Sequence, residues 1–170
     1  MDNRELDLGL VASVHAESFG EPGHRTFRLL VRTEAGEVTF WLEKEQLVML
    51  GSAVDEVLRR TPESRGNDPE ADSLRAFRGE MELQVGALAV GFDAEHEGYT
   101  IEAGDLTGPF DLARITLLAR REDFERLSRE IADIVAAGRP RCVLCGTPLS
   151  GEPHFCPPSN GHAAVAATEE

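Results

Sequence analysis

Two stretches of the chain carry the same order of apolar and polar positions. Val38-Thr39-Phe40-Trp41 reads as a strand and runs into the charged group Glu43-Lys44-Glu45-Gln46, after which Leu47, Leu50, Val54, Val57 and Leu58 recur at helical spacing. Seventy-seven positions on, Ile115-Thr116-Leu117-Leu118 runs into Arg120-Arg121-Glu122-Asp123, and Phe124, Leu127, Ile131, Ile134 and Val135 fall at the same offsets. Five matched apolar positions, with a matched strand and a matched charged helix start, predict an internal duplication.

The segments upstream of each match divide in the same way. Leu8 to Phe19 predicts a strand, Gly20-Glu21-Pro22-Gly23 a turn, Phe27 to Arg32 a second strand, and Glu34-Ala35-Gly36-Glu37 a hairpin. In the second half Met81 to Phe92 predicts a strand, Asp93 to Gly98 a turn, Tyr99 to Glu102 a strand, and Gly104 to Pro109 a loop before the strand through Ile115. A lone three-stranded sheet with one helix leaves a large apolar face uncovered. The pattern therefore predicts an α+β fold of two βββα repeats, at 8–60 and 80–138, related by pseudo-twofold symmetry and sharing one core. It leaves open whether the strands form one sheet or two facing sheets.

Residues 61–79 between the units are polar, interrupted by proline and without periodicity, and predict a mobile linker. Gly138 before Arg139-Pro140 suggests a left-handed helix cap followed by a residue that cannot continue the helix. Beyond it, 139–162 is rich in glycine and proline, and 163–170 offers nothing to pack and is expected to be disordered.

That C-terminal stretch holds the clearest chemistry. Cys142 and Cys145 form a C-x2-C pair, and His154 and Cys156 follow, so four soft-metal donors fall within fifteen residues that lack the apolar content to fold unaided. Zinc takes such Cys and His sets in tetrahedral structural sites, and the segment reads as zinc-ribbon-like. His162 competes with His154 for the fourth position, and Ser159 stands where many zinc ribbons carry a second cysteine. Four protein ligands leave no open position for a substrate, which argues for structural zinc over catalytic zinc. A redox role for C-x2-C lacks the βαβ context it normally accompanies.

Other candidates have ordinary alternatives. His24 and Arg25 follow a glycine turn and could meet a small anionic ligand, or could be a hairpin turn with a solvated charge. His15 and Glu17, two apart on a strand, share a face and suit a base and its orienter, or simply a partly exposed polar face. Glu43, Lys44 and Glu45 suit the solvated first turn of a helix. No phosphate loop, nucleophile elbow or H-E-x-x-H motif is present, and no catalytic residue is assigned.

Charge narrows the partners. With a formal net charge of −14 and only Arg139 and Arg141 beside the cysteines, the chain lacks the basic stripe that nucleic-acid binding requires. No apolar run reaches membrane-spanning length, and the acidic start, Met1-Asp2-Asn3-Arg4-Glu5, does not read as a secretory signal. Three cysteines confined to the tail fit thiolates in a reducing compartment, so a cytoplasmic location is expected.

The run Gly20-Glu21-Pro22-Gly23-His24-Arg25-Thr26-Phe27, the helix start Leu42-Glu43-Lys44-Glu45-Gln46, the motif Val85-Gly86-Ala87-Leu88, and Gly138-Arg139-Pro140 before Cys142 resemble an uncharacterised bacterial family of repeat proteins, domain of unknown function 3090. The resemblance runs from about Leu10 to Gly161 and carries no established activity. Its tail pattern implies Cys142, Cys145, His154 and Cys156, followed by Asn160 and Gly161, which favours His154 over His162. Pro153 before the histidine and Pro158 depart from that pattern. Together these readings favour a non-enzymatic binding or adaptor module with a protein partner, and as the alternative an enzyme or small-ligand sensor with a pocket between the repeats near Gly20 to Arg25.

Overall fold

A computed structural model describes residues 5–34, 36–61, 79–105, 114–138, 142–147, 149, 154–156 and 164–165. The expected strand from Leu8 to Phe19 is two strands, β1 (Glu5–Leu10) and β2 (Ser13–Phe19). Within β1, Gly9 adopts φ 62°, in the left-handed region open to glycine, and the Asp7 carboxylate accepts the Gly9 amide at 2.9 Å, where the pairing with β7 shifts register between Asp7 and Leu10. Val11 then donates to the Leu118 carbonyl and Ala12 to the Arg32 carbonyl, each at 2.8 Å, so the chain changes neighbours within two residues.

The remaining elements are β3 (Thr26–Arg32), β4 (Gly36–Leu42), α1 (Lys44–Arg60), β5 (Gly79–Asp93), β6 (Gly98–Asp105), β7 (Arg114–Ala119) and α2 (Arg121–Ala136). They form one mixed seven-stranded sheet in the order β1-β7-β6-β5-β4-β3-β2. The two ends of this order are consecutive in the chain, so the sheet closes on itself through Val11 and Ala12. β1 runs parallel to β7, and β2 antiparallel to β3. β5 behaves alike: Gly79 to Gln84 pairs parallel with β4, and Val85 to Asp93 pairs antiparallel with β6, with a register shift between Val85 and Ala87. The choice left open by the sequence is thus settled as a single sheet with two strand segments that serve different neighbours at their two ends.

Alternation selects the core. Phe27, Leu29 and Val31 of β3 face inward with Val38, Phe40 and Leu42 of β4, and Ile101, Ala103, Ile115 and Leu117 do so from the other half, all in one buried cluster. Leu47, Leu50 and Val54 of α1 and Phe124, Leu127 and Ile131 of α2 are buried in the same cluster, as their spacing predicts. Fully burying one such side chain stabilises the fold by roughly 1.5–3 kcal/mol, so the helical stripes are a major share of the folding energy.

α1 opens with Glu43, Lys44 and Glu45 exposed, and the Glu43 amide donates to Gln46 Oε1 at 2.8 Å. α2 ends differently from expectation. Ala137 donates to the Asp133 carbonyl at 2.9 Å and Gly138 to Val135 at 3.2 Å, and Gly138 is not in the left-handed conformation. One ordinary α-helical bond and one of the tighter i→i−3 type close the last turn without it. The expected linker lies outside the described residues except for Thr61, the residue that closes α1, and Gly79, the first of β5.

The helices meet where Gly51 of α1 faces Ile131 of α2: a Cβ at Gly51 would stand 2.7 Å from Ile131 Cγ2. Gly51→Val should therefore overpack this crossing and cost about 2 kcal/mol despite its better helix propensity. Urea unfolding monitored by circular dichroism would measure it, and an unchanged midpoint would mean that the helices are not in contact here.

Candidate metal centre

The turn holding the first two cysteines is closed by two backbone bonds. Gly146 donates to the Cys142 carbonyl and Cys142 to the Thr147 carbonyl, each at 2.8 Å, and Gly146 takes φ 73°. This folds Cys145 back over Cys142. Of the other two donors, His154 opens β8 (His154–Phe155), which pairs antiparallel with β9 (Ala164–Val165), and Cys156 follows directly after β8. Part of 163–170, where no structure was expected, thus contributes a short strand.

Cys142 and Cys156 are buried, with their sulfurs 3.8 Å apart, and His154 Nε2 lies 3.3 Å from Cys145 Sγ. All four donor atoms lie within 4.8 Å of one another. Thr147, whose Oγ1 stands 3.2 Å from Cys145 Sγ and whose backbone also bonds the sulfur, pushes the Cys145 thiol down to about 6, with further help from His154 and Cys142. The opposite ring nitrogen, His154 Nδ1, is buried and has no hydrogen-bond partner among the described residues. The ring is therefore oriented by the cluster it faces. His162, Ser159, Asn160 and Gly161 lie outside the described residues.

The donor set could hold one metal ion, and one of its separations is at zinc spacing. A tetrahedral zinc with Zn–S bonds of about 2.3 Å separates two sulfurs by roughly 3.8 Å, which is the Cys142 to Cys156 distance. Val143 is 98 % and Leu144 57 % exposed, so the apolar side chains of the knuckle stabilise nothing in it.

The family model described as a protein of unknown function, DUF3090, matches residues 7–156. The chain belongs to that family. Its match ends on Cys156, so all four donors fall inside the family's span. No curated protein and no solved structure gives a significant match.

The remaining candidates are dispersed. His24 is exposed in its turn, its amide bonded to the Glu21 carbonyl at 2.9 Å, while Arg25 donates to the Ile134 carbonyl at 3.2 Å near the end of α2. Arg25 thereby supplies the cation that the last turn of α2 lacks. His15 and Glu17 do not act on each other. His15 Nδ1 bonds Glu130 at 2.8 Å, and Glu17 pairs with Arg28 at 2.6 Å, whose guanidinium stacks over Phe19 and Trp41 at 4.7 and 5.8 Å. An open cleft is lined by Asp55, Leu58, Arg59, Arg121 and Glu125, and neither His24 nor Arg25 is among them.

Sequence reasoning missed two polar assemblies. Tyr99, 1 % exposed, shares its hydroxyl between Thr61 Oγ1 and Arg121, both at 2.7 Å, tying the end of α1 to the start of α2. Asp123, Arg126 and Glu130 form the second, with the buried Asp123 carboxylate bonded to Arg126. The i,i+3 and i,i+4 charge spacing signals the latter. A lone tyrosine carries no comparable signal.

Cys142→Ser and Cys145→Ser should abolish hydrogen-exchange protection of residues 142–156 while leaving amides of β3 to β6 unchanged. Loss of protection across the sheet, or unaltered protection in the tail, would contradict the geometry above.

Proposed function

We propose that the chain is a binding or adaptor module without catalytic activity of its own, whose C-terminal segment is organised by one structural zinc ion on Cys142, Cys145, His154 and Cys156. The observation that carries this reading is the four-donor cluster, in which the Cys142 and Cys156 sulfurs stand at the spacing of a tetrahedral site. Four protein ligands saturate zinc, so the ion would stabilise fold rather than activate water. Apparent zinc affinities for such sites are on the order of 10 kcal/mol or more, enough to fix a short segment whose apolar residues are exposed.

The partner is a protein in this reading. A net charge of −14 disfavours nucleic acid, no helix among the described residues is long and apolar enough to cross a membrane, and the thiol cluster suits the cytoplasm. The domain itself would have arisen by duplication into two βββα repeats about a pseudo-twofold axis. Support comes from α1 and α2 starting 77 residues apart and burying Leu47, Leu50 and Val54 at the offsets of Phe124, Leu127 and Ile131.

Elemental analysis of purified protein should give one zinc per chain, falling below half on Cys156→Ser. Capture from cell extract with and without chelator should then yield a partner that depends on the metal. Absence of bound metal would remove the proposal, and a partner retained after chelation would move the contact from the tail to the duplicated domain.

A further inference from the structure

The three sulfurs of the donor cluster are unequally sheltered. Cys142 and Cys156 are buried, whereas Cys145 is partly exposed, and the two residues beside it in the turn, Val143 and Leu144, give it no cover because both are exposed themselves. A reagent arriving from solvent meets the Cys145 sulfur first. All three cysteines are thiols, none joined in a disulfide.

The cluster also offers an oxidised Cys145 a partner. Its thiol bonds that of Cys142 on the same short turn, and every pair of donor atoms lies within 4.8 Å. A disulfide brings its sulfurs to about 2.05 Å, so side-chain movement of a few ångströms would join these two. The imidazole is weakly secured by comparison. A histidine that binds metal through one ring nitrogen is normally held by a hydrogen bond at the other. His154 faces Cys145 through Nε2 at 3.3 Å, while its buried Nδ1 has no partner among the described residues. Loss of Cys145 as a donor therefore loosens a second one.

We propose that Cys145 is an oxidation site for hydroperoxides, that Cys142 resolves it, and that the Cys142–Cys145 disulfide so formed releases the metal ion. This inference rests on the zinc reading above. In the first step the Cys145 thiolate attacks one peroxide oxygen: an S–O bond forms, the O–O bond breaks, and the departing oxygen takes a proton to leave as water or an alcohol. In the second, the Cys142 thiolate attacks the Cys145 sulfur: an S–S bond forms, the S–O bond breaks, and hydroxide takes a proton to leave as water. The two sulfurs together supply the two electrons that reduce the peroxide. Zinc is bound by thiolate, which a disulfide no longer offers, so His154 and Cys156 remain as two ligands where a structural site needs four. The turn around Val143 and Leu144 stays closed by the new bond, but the metal no longer ties it to β8. Exchange with a cellular dithiol restores both thiols.

Full-length zinc-loaded protein, treated with hydrogen peroxide in the presence of a zinc-sensitive dye, should release about one zinc per disulfide formed. Chymotryptic cleavage after Phe155 separates Cys156 from the other two cysteines, so mass spectrometry locates the disulfide, which should join Cys142 to Cys145. Dimedone, which traps sulfenic acid, should label Cys145 ahead of the other two when present from the start. Cys145→His keeps four donors and should slow peroxide-driven zinc release about tenfold or more. If that variant binds no zinc, the order of labelling in the native chain decides. First labelling at Cys142 or Cys156, a disulfide that includes Cys156, or release from Cys145→His as fast as from the native chain would each overturn the proposal. Metal content before peroxide separates the two readings: protein purified without zinc removes both, whereas zinc present at the start and retained as peroxide is consumed removes this one alone.

Discussion

Closure of the sheet depends on two amides. Val11 bonds β7 and Ala12 bonds β3, so one continuous segment leaves one neighbour and joins another in the space of two residues. The left-handed Gly9 ahead of that point puts a bulge in the pairing with β7, which resumes at Leu10 before the neighbour changes. β5 makes the same exchange of neighbours with a register shift instead of a full break. Each exchange leaves a strand half with an uncovered edge, and the two helices lie where those edges need them. The architecture of the domain is in this sense a solution to an edge problem.

The two helices solve it unequally, and polar chemistry marks the difference. α2 brings Arg126 and Glu130, held in place by Asp123 and His15, to the backbone of β2. Burying Asp123 is tolerable because Arg126 neutralises it and both groups are hydrogen-bonded. α1 brings one amide, that of Gln46, and otherwise apolar residues. The Tyr99 hydroxyl links the helices at their junction, where leaving Arg121 or Thr61 without that partner would cost more than the bond itself contributes.

Much of the fold was legible because burial imposes a period. The stripes Leu47-Leu50-Val54 and Phe124-Leu127-Ile131 and the alternation of Phe27, Leu29 and Val31 repeat at the spacing of their elements, and the structure buries all of them. Sheet order was not legible, since the same alternation serves a strand whichever neighbours it takes, and nothing at Val11 or Ala12 marks a change of partner. The register shift within β1 had a signal in Asp7 and Gly9, a short acceptor two residues before a glycine. The donor cluster was legible because C-x2-C with a later histidine and cysteine is a pattern of chemistry rather than of packing. His15, Glu17, His24 and Arg25 stayed open between a site and ordinary structure because a polar residue on a strand or turn looks alike whether it awaits a ligand or an ion pair, and here the partners of His15 and Arg25 lie more than 100 residues away.

The tail and the domain therefore differ in what holds them. The domain is held by one continuous apolar cluster drawn from both helices and the sheet, and it needs nothing from outside the chain. The knuckle turns Val143 and Leu144 outward and its sulfurs and imidazole inward, which inverts the usual arrangement of apolar and polar atoms. Such a segment gains no hydrophobic stabilisation from those side chains, so its order rests on the backbone bonds of the turn, the β8–β9 pair and the contacts among the inward donors. An apolar tip displayed on a segment of that kind stands apart from the apolar cluster of the domain, and contact through it would depend on those donors rather than on the stability of the sheet.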